Sequence, residues 1–110
     1  MKNKACVQGR VSIGNKVQIN KEAIIRGPTV IGDNTSIGND VYIGPYTSIG
    51  NNTNIKRGEI GNSIIMENCV IDINTKIIDS IIGNSSEIIS RKKGPKGHEL
   101  LVGENSKIVI

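Results

Sequence analysis

Branched aliphatic residues recur every sixth position through the first half of this 110-residue chain. This register runs through nine positions: Val7, Ile13, Ile19, Ile25, Ile31, Ile37, Ile43, Ile49 and Ile55. A second register, of small or β-branched residues, precedes each of these aliphatic residues by two positions: Ala5, Val11, Val17, Ala23, Thr29, Thr35, Val41, Thr47 and Thr53. Residues two apart on a strand point to the same side. Each unit is therefore predicted to be a short strand with two inward side chains, followed by a turn.

A period this short predicts a parallel β-helix, in which three units form one triangular coil of 18 residues. The residues after the inward isoleucines fit tight turns, because glycine is followed by Asn, Asp or Pro, as at Gly32-Asp33 and Gly44-Pro45. Beyond Ile55 the spacing slips between five and six residues. The predicted inward pairs there are Gly58/Ile60, Ser63/Ile65, Cys69/Ile71, Thr75/Ile77, Ser80/Ile82 and Ser86/Ile88.

The pattern thus predicts an all-β fold of about five to six triangular coils in a single domain, residues 1–110. It breaks at residues 89–99, where we expect a basic loop excursion, and resumes in a final coil at residues 100–110.

The residue before each inward isoleucine should point outward, and these residues define three faces. The uncharged face comprises Ser12, Val30, Ser48, Ile64 and Ile81. The mixed face comprises Cys6, Ile24, Tyr42, Glu59 and Lys76. The polar face comprises Gln18, Ser36, Asn54, Val70 and Glu87.

The uncharged face carries the large aliphatic residues Val30, Ile64 and Ile81, which predicts a buried contact. Three columns packed around a threefold axis would each bury this face, so we expect a homotrimer or another homo-oligomer. The alternative is that this face docks a catalytic domain that the chain does not contain.

Charge and composition narrow the possible partners. The net charge of +4 is spread over the turns, apart from a basic cluster at residues 91–96, and two tyrosines are the only aromatic residues. Nucleic-acid binding usually needs clustered basic residues with stacking aromatics, so it is not expected. No signal peptide or long apolar span is evident, so we expect a cytoplasmic protein without a membrane partner.

Two cysteines do not make a disulfide framework. Cys69 occupies an inward position and is predicted to be a core thiol, whereas Cys6 should face outward, either as a reactive thiol or as a small contact residue. The coils contain no histidine, which argues against a His-ligated zinc site. The carboxylates of the slipped region show no spacing typical of a metal site, so no metal ligands are predicted.

Two segments, Ile25–Thr35 and Tyr42–Gly50, look like bacterial hexapeptide repeats. The segments that follow make the chain resemble one known domain type. They are Glu59–Ile71, Ile77–Gly83, the basic insert and the closing segment Gly97–Ser106. This is the C-terminal left-handed β-helix of long-form glucose-1-phosphate thymidylyltransferases and related archaeal sugar-phosphate nucleotidyltransferases. Left-handedness is implied by this resemblance alone, because ordinary parallel crossovers are right-handed.

The resemblance implies an assembly domain. The parent enzymes carry an N-terminal nucleotidyltransferase domain with a Gly-rich nucleotide loop and acidic Mg²⁺ ligands, which is absent here. A phosphate-cradling loop needs clustered glycines before a helix, whereas the glycines of this chain are spread one per turn. We therefore expect this chain to be inactive in nucleotidyl transfer and to bind no cofactor, with Mg²⁺ belonging to the absent domain.

The same repeats also occur in acyltransferases that use a histidine base and acetyl-CoA. Under that alternative, His98 would deprotonate the amine of an amino-sugar phosphate, and Arg91, Lys92, Lys93 and Lys96 would meet CoA phosphates. These residues could equally belong to a solvated surface loop. A stand-alone trimeric scaffold without a ligand is the third possibility.

Overall fold

The computed structural model describes residues 6–90 and the backbone of a strand at residues 107–109, and these residues contain strands and no helix. The strands are β1 (Cys6–Gln8), β2 (Val11–Ile13), β3 (Gln18–Ile19), β4 (Ile24–Arg26), β5 (Thr29–Ile31), β6 (Ser36–Ile43), β7 (Thr47–Ile49), β8 (Asn54–Gly61), β9 (Ile64–Ile65), β10 (Val70–Ile78), β11 (Ile81–Ile82), β12 (Glu87–Ile89) and β13 (Lys107–Val109). They stack as a β-solenoid of about five turns, which confirms the predicted fold.

The strand pairs of the described residues are parallel and join one coil to the next. One sheet has the order β11-β9-β7-β5-β2 and forms the uncharged face. The other has the order β1-β4-β6-β8-β10-β12-β13, with β3 paired to β6. Strands β6, β8 and β10 continue around a corner, so this second sheet covers both the mixed and the polar face.

The registers confirm all three predicted faces. On the uncharged face, Val30 lies between Ser12 and Ser48, and Ile64 lies between Ser48 and Ile81. The mixed face is stacked in the order Cys6, Ile24, Tyr42, Glu59 and Lys76. The polar face is stacked in the order Gln18, Ser36, Asn54, Val70 and Glu87.

The inward isoleucines form the core of the column. Ile25, Ile43 and Ile55 are each 0% exposed, and burying one such side chain stabilises the fold by about 1.5–3 kcal/mol. The inward threonines are satisfied between coils, since Thr35 Oγ1 donates to Gly50 O at 2.9 Å and Thr53 Oγ1 donates to Met66 O at 3.0 Å. Within the described residues, no buried side-chain nitrogen or oxygen lacks a hydrogen-bond partner.

Two inward positions of the first coil are exposed. Val7 and Ile13 share a register with the buried Ile25 and Ile31, yet they are 41% and 43% exposed. The inward position of a solenoid buries a side chain only when coils lie on both sides of it, and no described coil lies before this one.

The prediction that Thr75 points inward is wrong. Thr75 is exposed and Ile77 is only half-buried, while Ile73 is 0% exposed. Strand β10 bulges here, because the three residues 73–75 lie opposite Gly58 alone. Gly58 has no side chain and a φ of +135°, and the side chain of Ile73 fills the space beside it.

Residues 89 and 90, which were expected to belong to the excursion, are still bonded to the sheet. Ile89 still pairs with Asp72 in the sheet, and the Ser90 N–H donates to Asp72 O at 2.9 Å. Strand β13 pairs in parallel with β12, as a final coil requires. Residues 91–106 and 110, which carry the rest of the predicted excursion and final coil, lie outside the described residues.

Candidate functional site

The uncharged face presents aliphatic side chains to solvent. Val30, Ile64 and Ile81 are 51%, 46% and 66% exposed. Ser12 and Ser48 are the other residues of the same row, so no charged side chain interrupts it. The arrangement is a narrow apolar strip that runs along the column axis.

Three further apolar residues border this strip, and the six-residue pattern did not predict their place beside it. Tyr46 and Ile78 lie at the corner with the mixed face and are 70% and 54% exposed, and Met66, at the corner with the polar face, is 39% exposed. Six of the nine large exposed hydrophobic residues of the described segment therefore lie on this face or its two edges. Met66 could have been noticed, because it occupies the turn position held by Gly32 and Gly50 in the preceding coils.

Side chains at one edge of the strip form hydrogen bonds from coil to coil. At the corner between the uncharged and polar faces, the Asn15 N–H donates to Asp33 Oδ1 at 2.8 Å, and the Asp33 N–H donates to Asn51 Oδ1 at 2.7 Å. The Glu67 N–H donates to Asn84 Oδ1 at 3.0 Å in the same way. Each coil is thereby held to the next, which presents the uncharged face as a regular surface.

A second candidate surface lies at the corner where the polar face meets the mixed face. Ile37 and Ile55 are 18 residues apart, whereas Ile55 and Ile71 are only 16 apart, so the coil that begins at Ile55 is two residues shorter than the one before it. Residues of this coil and of the coils on both sides of it line a cleft of about 240 Å³. Its polar lining consists of Asp40, Arg57, Glu59, Asn74, Thr75 and Lys76.

Charges of both signs surround this cleft. Arg57 lies in register between Asp40 and Asp72, and its Nε donates to Asp72 Oδ1 at 2.9 Å. Both partners are partly exposed, so this pair stabilises the fold by about 0–1 kcal/mol. Glu59 and Lys76 are neighbours on the mixed face, and neither has an ion-pair partner among the described residues.

The two cysteines differ in environment as predicted. Cys69 is buried, and its Sγ lies 3.1 Å from Gly83 O. Burial raises the pKa of the Cys69 thiol against the opposing effect of nearby backbone hydrogen bonds, so this thiol is protonated at neutral pH and unsuited to nucleophilic chemistry. Cys6 is exposed on the mixed face.

The described residues offer no cluster of three or more His, Cys, Asp or Glu side chains that could hold a metal ion. In the same part of the chain, no helix is long and apolar enough to cross a membrane. His98, Arg91, Lys92, Lys93 and Lys96, the residues of the acyltransferase alternative, lie outside the described residues. That alternative therefore stays a prediction from the sequence.

Comparison with known proteins gives one family. The family model for the GMPPB C-terminal domain matches residues 25–108, which is most of the chain. No curated protein matches. Among solved structures, a Bacillus cereus protein, the BC4754 gene product named as an acetyltransferase, is 18% identical with a TM-score of 0.45, and the match covers 98% of this chain and 70% of that one. A likeness this distant carries no argument about function.

Proposed function

The chain belongs to the GMPPB C-terminal domain family, the left-handed β-helix C-terminal domain of sugar-phosphate nucleotidyltransferases, and from this membership we propose that its role is assembly. In this proposal three copies associate through the uncharged face and hold their catalytic domains together. The observation that carries the proposal is the concentration of exposed apolar side chains on one face and its edges.

The dimensions of the column suit such a contact. It is 43 Å long and 25 by 21 Å across, so one whole face approaches the roughly 800 Å² per partner that stable interfaces bury. The face carries the exposed aliphatic residues Val30, Ile64 and Ile81 and an aromatic residue, Tyr46, at its edge, and it carries no charge, a composition typical of the buried part of protein interfaces.

Parallel columns around a threefold axis bring equal heights together, so that Ile64 of one copy meets Ile64 of the next. The row of Ser12, Val30, Ser48, Ile64 and Ile81 would then pack in layers at the spacing of the coils, about 4.8 Å. No charge would be buried without a partner in this arrangement, since the row contains none.

The test is the mass of the 110-residue chain in light scattering. We expect a trimer for the unmodified chain and a monomer for the variant Ile64→Lys/Ile81→Lys, because two buried ammonium groups per subunit would lack partners. Ile24→Lys is the matched control: Ile24 is also an outward isoleucine, 37% exposed, but on the mixed face, so this variant should stay trimeric. A monomeric unmodified chain, or a double variant of unchanged mass, would refute the trimer and favour docking of a catalytic domain.

The finer part of the proposal concerns the enzyme. The resemblance of Glu59–Ile71 and Gly97–Ser106 supports the glucose-1-phosphate thymidylyltransferase type. Nucleotidyl transfer, with attack of a sugar-1-phosphate on a nucleoside triphosphate and release of pyrophosphate, would be carried out with Mg²⁺ by a separate domain. Pyrophosphate release by the whole protein should then depend on dTTP rather than GTP, and the 110-residue chain alone should release none. Preference for GTP would refute the thymidylyltransferase assignment and leave the assembly role untouched.

A further inference from the structure

The cleft of Asp40, Arg57, Glu59, Asn74, Thr75 and Lys76 lies on the side of the column away from the uncharged face. Its corner joins the polar and mixed faces, which are the two faces that the proposed assembly leaves free. A ligand in the cleft would therefore remain accessible in the trimer. Its binding can also be measured independently of the oligomeric state.

We propose that this cleft binds a neutral, polyhydroxylated ligand of monosaccharide size. The carboxylates of Asp40 and Glu59 only accept hydrogen bonds, and the Lys76 ammonium only donates them, whereas the side chains of Asn74 and Thr75 do both. A hydroxyl group is both donor and acceptor. A ligand with several hydroxyls on one ring can use several of the donors and acceptors that line the cleft at the same time.

The balance of charge selects a neutral ligand. A phosphate attracted by Lys76 would also meet the carboxylates of Asp40 and Glu59, and a cation attracted by these carboxylates would meet Lys76 and Arg57. A charged ligand of either sign would therefore lie beside a side chain of the same charge, and this repulsion opposes binding. A neutral sugar gains hydrogen bonds to charged groups, which are stronger than those between neutral groups, without this repulsion.

The cleft is held in shape before any ligand arrives. Asp72 holds Arg57 through Nε, which leaves the terminal amino groups of the guanidinium for other acceptors. The Asn74 N–H donates to Ser90 Oγ at 3.0 Å, which fixes the corner of the next coil. The buried side chain of Ile73 packs beside Gly58 and forms part of the apolar lining. Preorganisation of this kind lowers the entropic cost of binding.

The size of the cleft limits the ligand. About 240 Å³ is below the range of roughly 300–1,000 Å³ for pockets of drug-sized molecules, so one ring is the expected occupant. A second depression, of about 170 Å³, continues across the mixed face and shares Glu59 and Lys76 with the cleft. Tyr42 and Pro45 line that depression, so it offers an apolar and aromatic surface to a substituent of the ring.

The experiment is a titration of the ¹⁵N-labelled 110-residue chain with D-glucose, D-mannose or D-galactose, and separately with inorganic phosphate and with glycine. We expect saturable amide shifts at residues 57–59 and 73–76 for at least one sugar, with a Kd on the order of millimolar for so open a cleft. Lys76→Ala should weaken this binding about tenfold, the usual loss for a hydrogen bond to a charged group. Lys56→Ala, an exposed lysine that does not line the cleft, is the control and should leave the Kd unchanged.

The proposal is overturned if none of the three sugars gives saturable shifts at these amides, or if phosphate or glycine binds there more tightly than every sugar. Equal weakening by Lys56→Ala and Lys76→Ala would also overturn it, since the effect would then be one of overall charge. The Ile64→Lys/Ile81→Lys variant should retain the sugar shifts as a monomer. Failure of the assembly and failure of the sugar site are therefore seen separately.

Discussion

Gly58→Ala should be strongly destabilising, because Gly58 occupies a buried inward position of β8, in register with Val41. A Cβ at this position would lie 2.5 Å from Ile73 Cγ1 and 3.1 Å from its Cδ1, and the backbone φ of +135° is one that L residues rarely adopt. Backbone strain of this kind costs about 1–3 kcal/mol. Overpacking of a filled core costs about 1–3 kcal/mol more, so we expect a total loss of roughly 2–6 kcal/mol.

Gly44→Ala is the matched control for this change. The nearest atom to a Cβ at Gly44 would be Tyr42 Cε2 at 3.6 Å, an ordinary van der Waals distance, and Gly44 has no positive φ. We expect a change of less than about 1 kcal/mol, in either direction, for this variant. Both glycines are buried in the same column, so the comparison isolates the steric and conformational effects at Gly58.

Urea denaturation followed by far-UV circular dichroism measures both variants. The denaturation midpoint of Gly58→Ala should fall well below that of Gly44→Ala with an unchanged slope m, which would show that the folded column is otherwise intact. In the double variant Gly58→Ala/Ile73→Ala, the added methyl group enters the space vacated by Ile73. The double loss should therefore be smaller than the sum of the two single losses. If Gly58→Ala were no more destabilising than Gly44→Ala, the fit of Ile73 beside Gly58 would be refuted.

Three further outcomes are expected. Burial raises the pKa of the Cys69 thiol, so the unfolded chain loses this proton at a lower pH than the folded chain. The free energy of unfolding should fall as pH rises above about 8.5, and by less in Cys69→Ala, as compared by urea denaturation across that range. An aromatic disulfide reagent should modify Cys6 in the native chain and Cys69 only after unfolding; rapid native labelling of both thiols would contradict the burial of Cys69. Ile43→Ala should lower the free energy of unfolding by about 2–5 kcal/mol, whereas Val7→Ala should lower it by under about 1 kcal/mol, because Val7 is already 41% exposed. Equal losses would contradict the exposure of Val7 in the first coil.

The faces of the column could be predicted because strand geometry is local. Alternation along a strand decides which side chains point inward, and a period of six residues decides which residues stack. The rows headed by Ser12, Cys6 and Gln18 therefore follow from counting along the chain. Units of five residues do not change the predicted faces, as long as each unit keeps its pair of inward residues.

The bulge at residues 73–75 could not be predicted in the same way. Thr75 fits the local pattern of a small residue two positions before Ile77, and nothing near it in the sequence disfavours the inward position. Ile73 is buried instead because Gly58, in the preceding coil, leaves room for its side chain. The deciding contact joins residues of different coils.

The two candidate surfaces also differ in how much of each could be predicted from the sequence. Val30, Ile64 and Ile81 were identified from the sequence as one row, since each precedes an inward isoleucine. Tyr46 and Met66 lie between strands and Ile78 is the last residue of β10, and the alternation of inward and outward residues does not show which edge such a side chain borders. The residues that line the cleft come from three consecutive coils, of which the middle one is the shortened coil.

The amino-acid sequence by itself determined the repeating coil, most of its inward residues and the order of its three faces, because each depends on the alternation along a single strand and on the six-residue period. Only the tertiary structure decided which apolar residues cluster beside the uncharged face, which side chain fills the space at Gly58, and where the charges of three coils surround a cleft. Those features depend on how coils of unequal length are stacked, and the residues that stacking pairs in these coils are 15 to 18 positions apart along the chain.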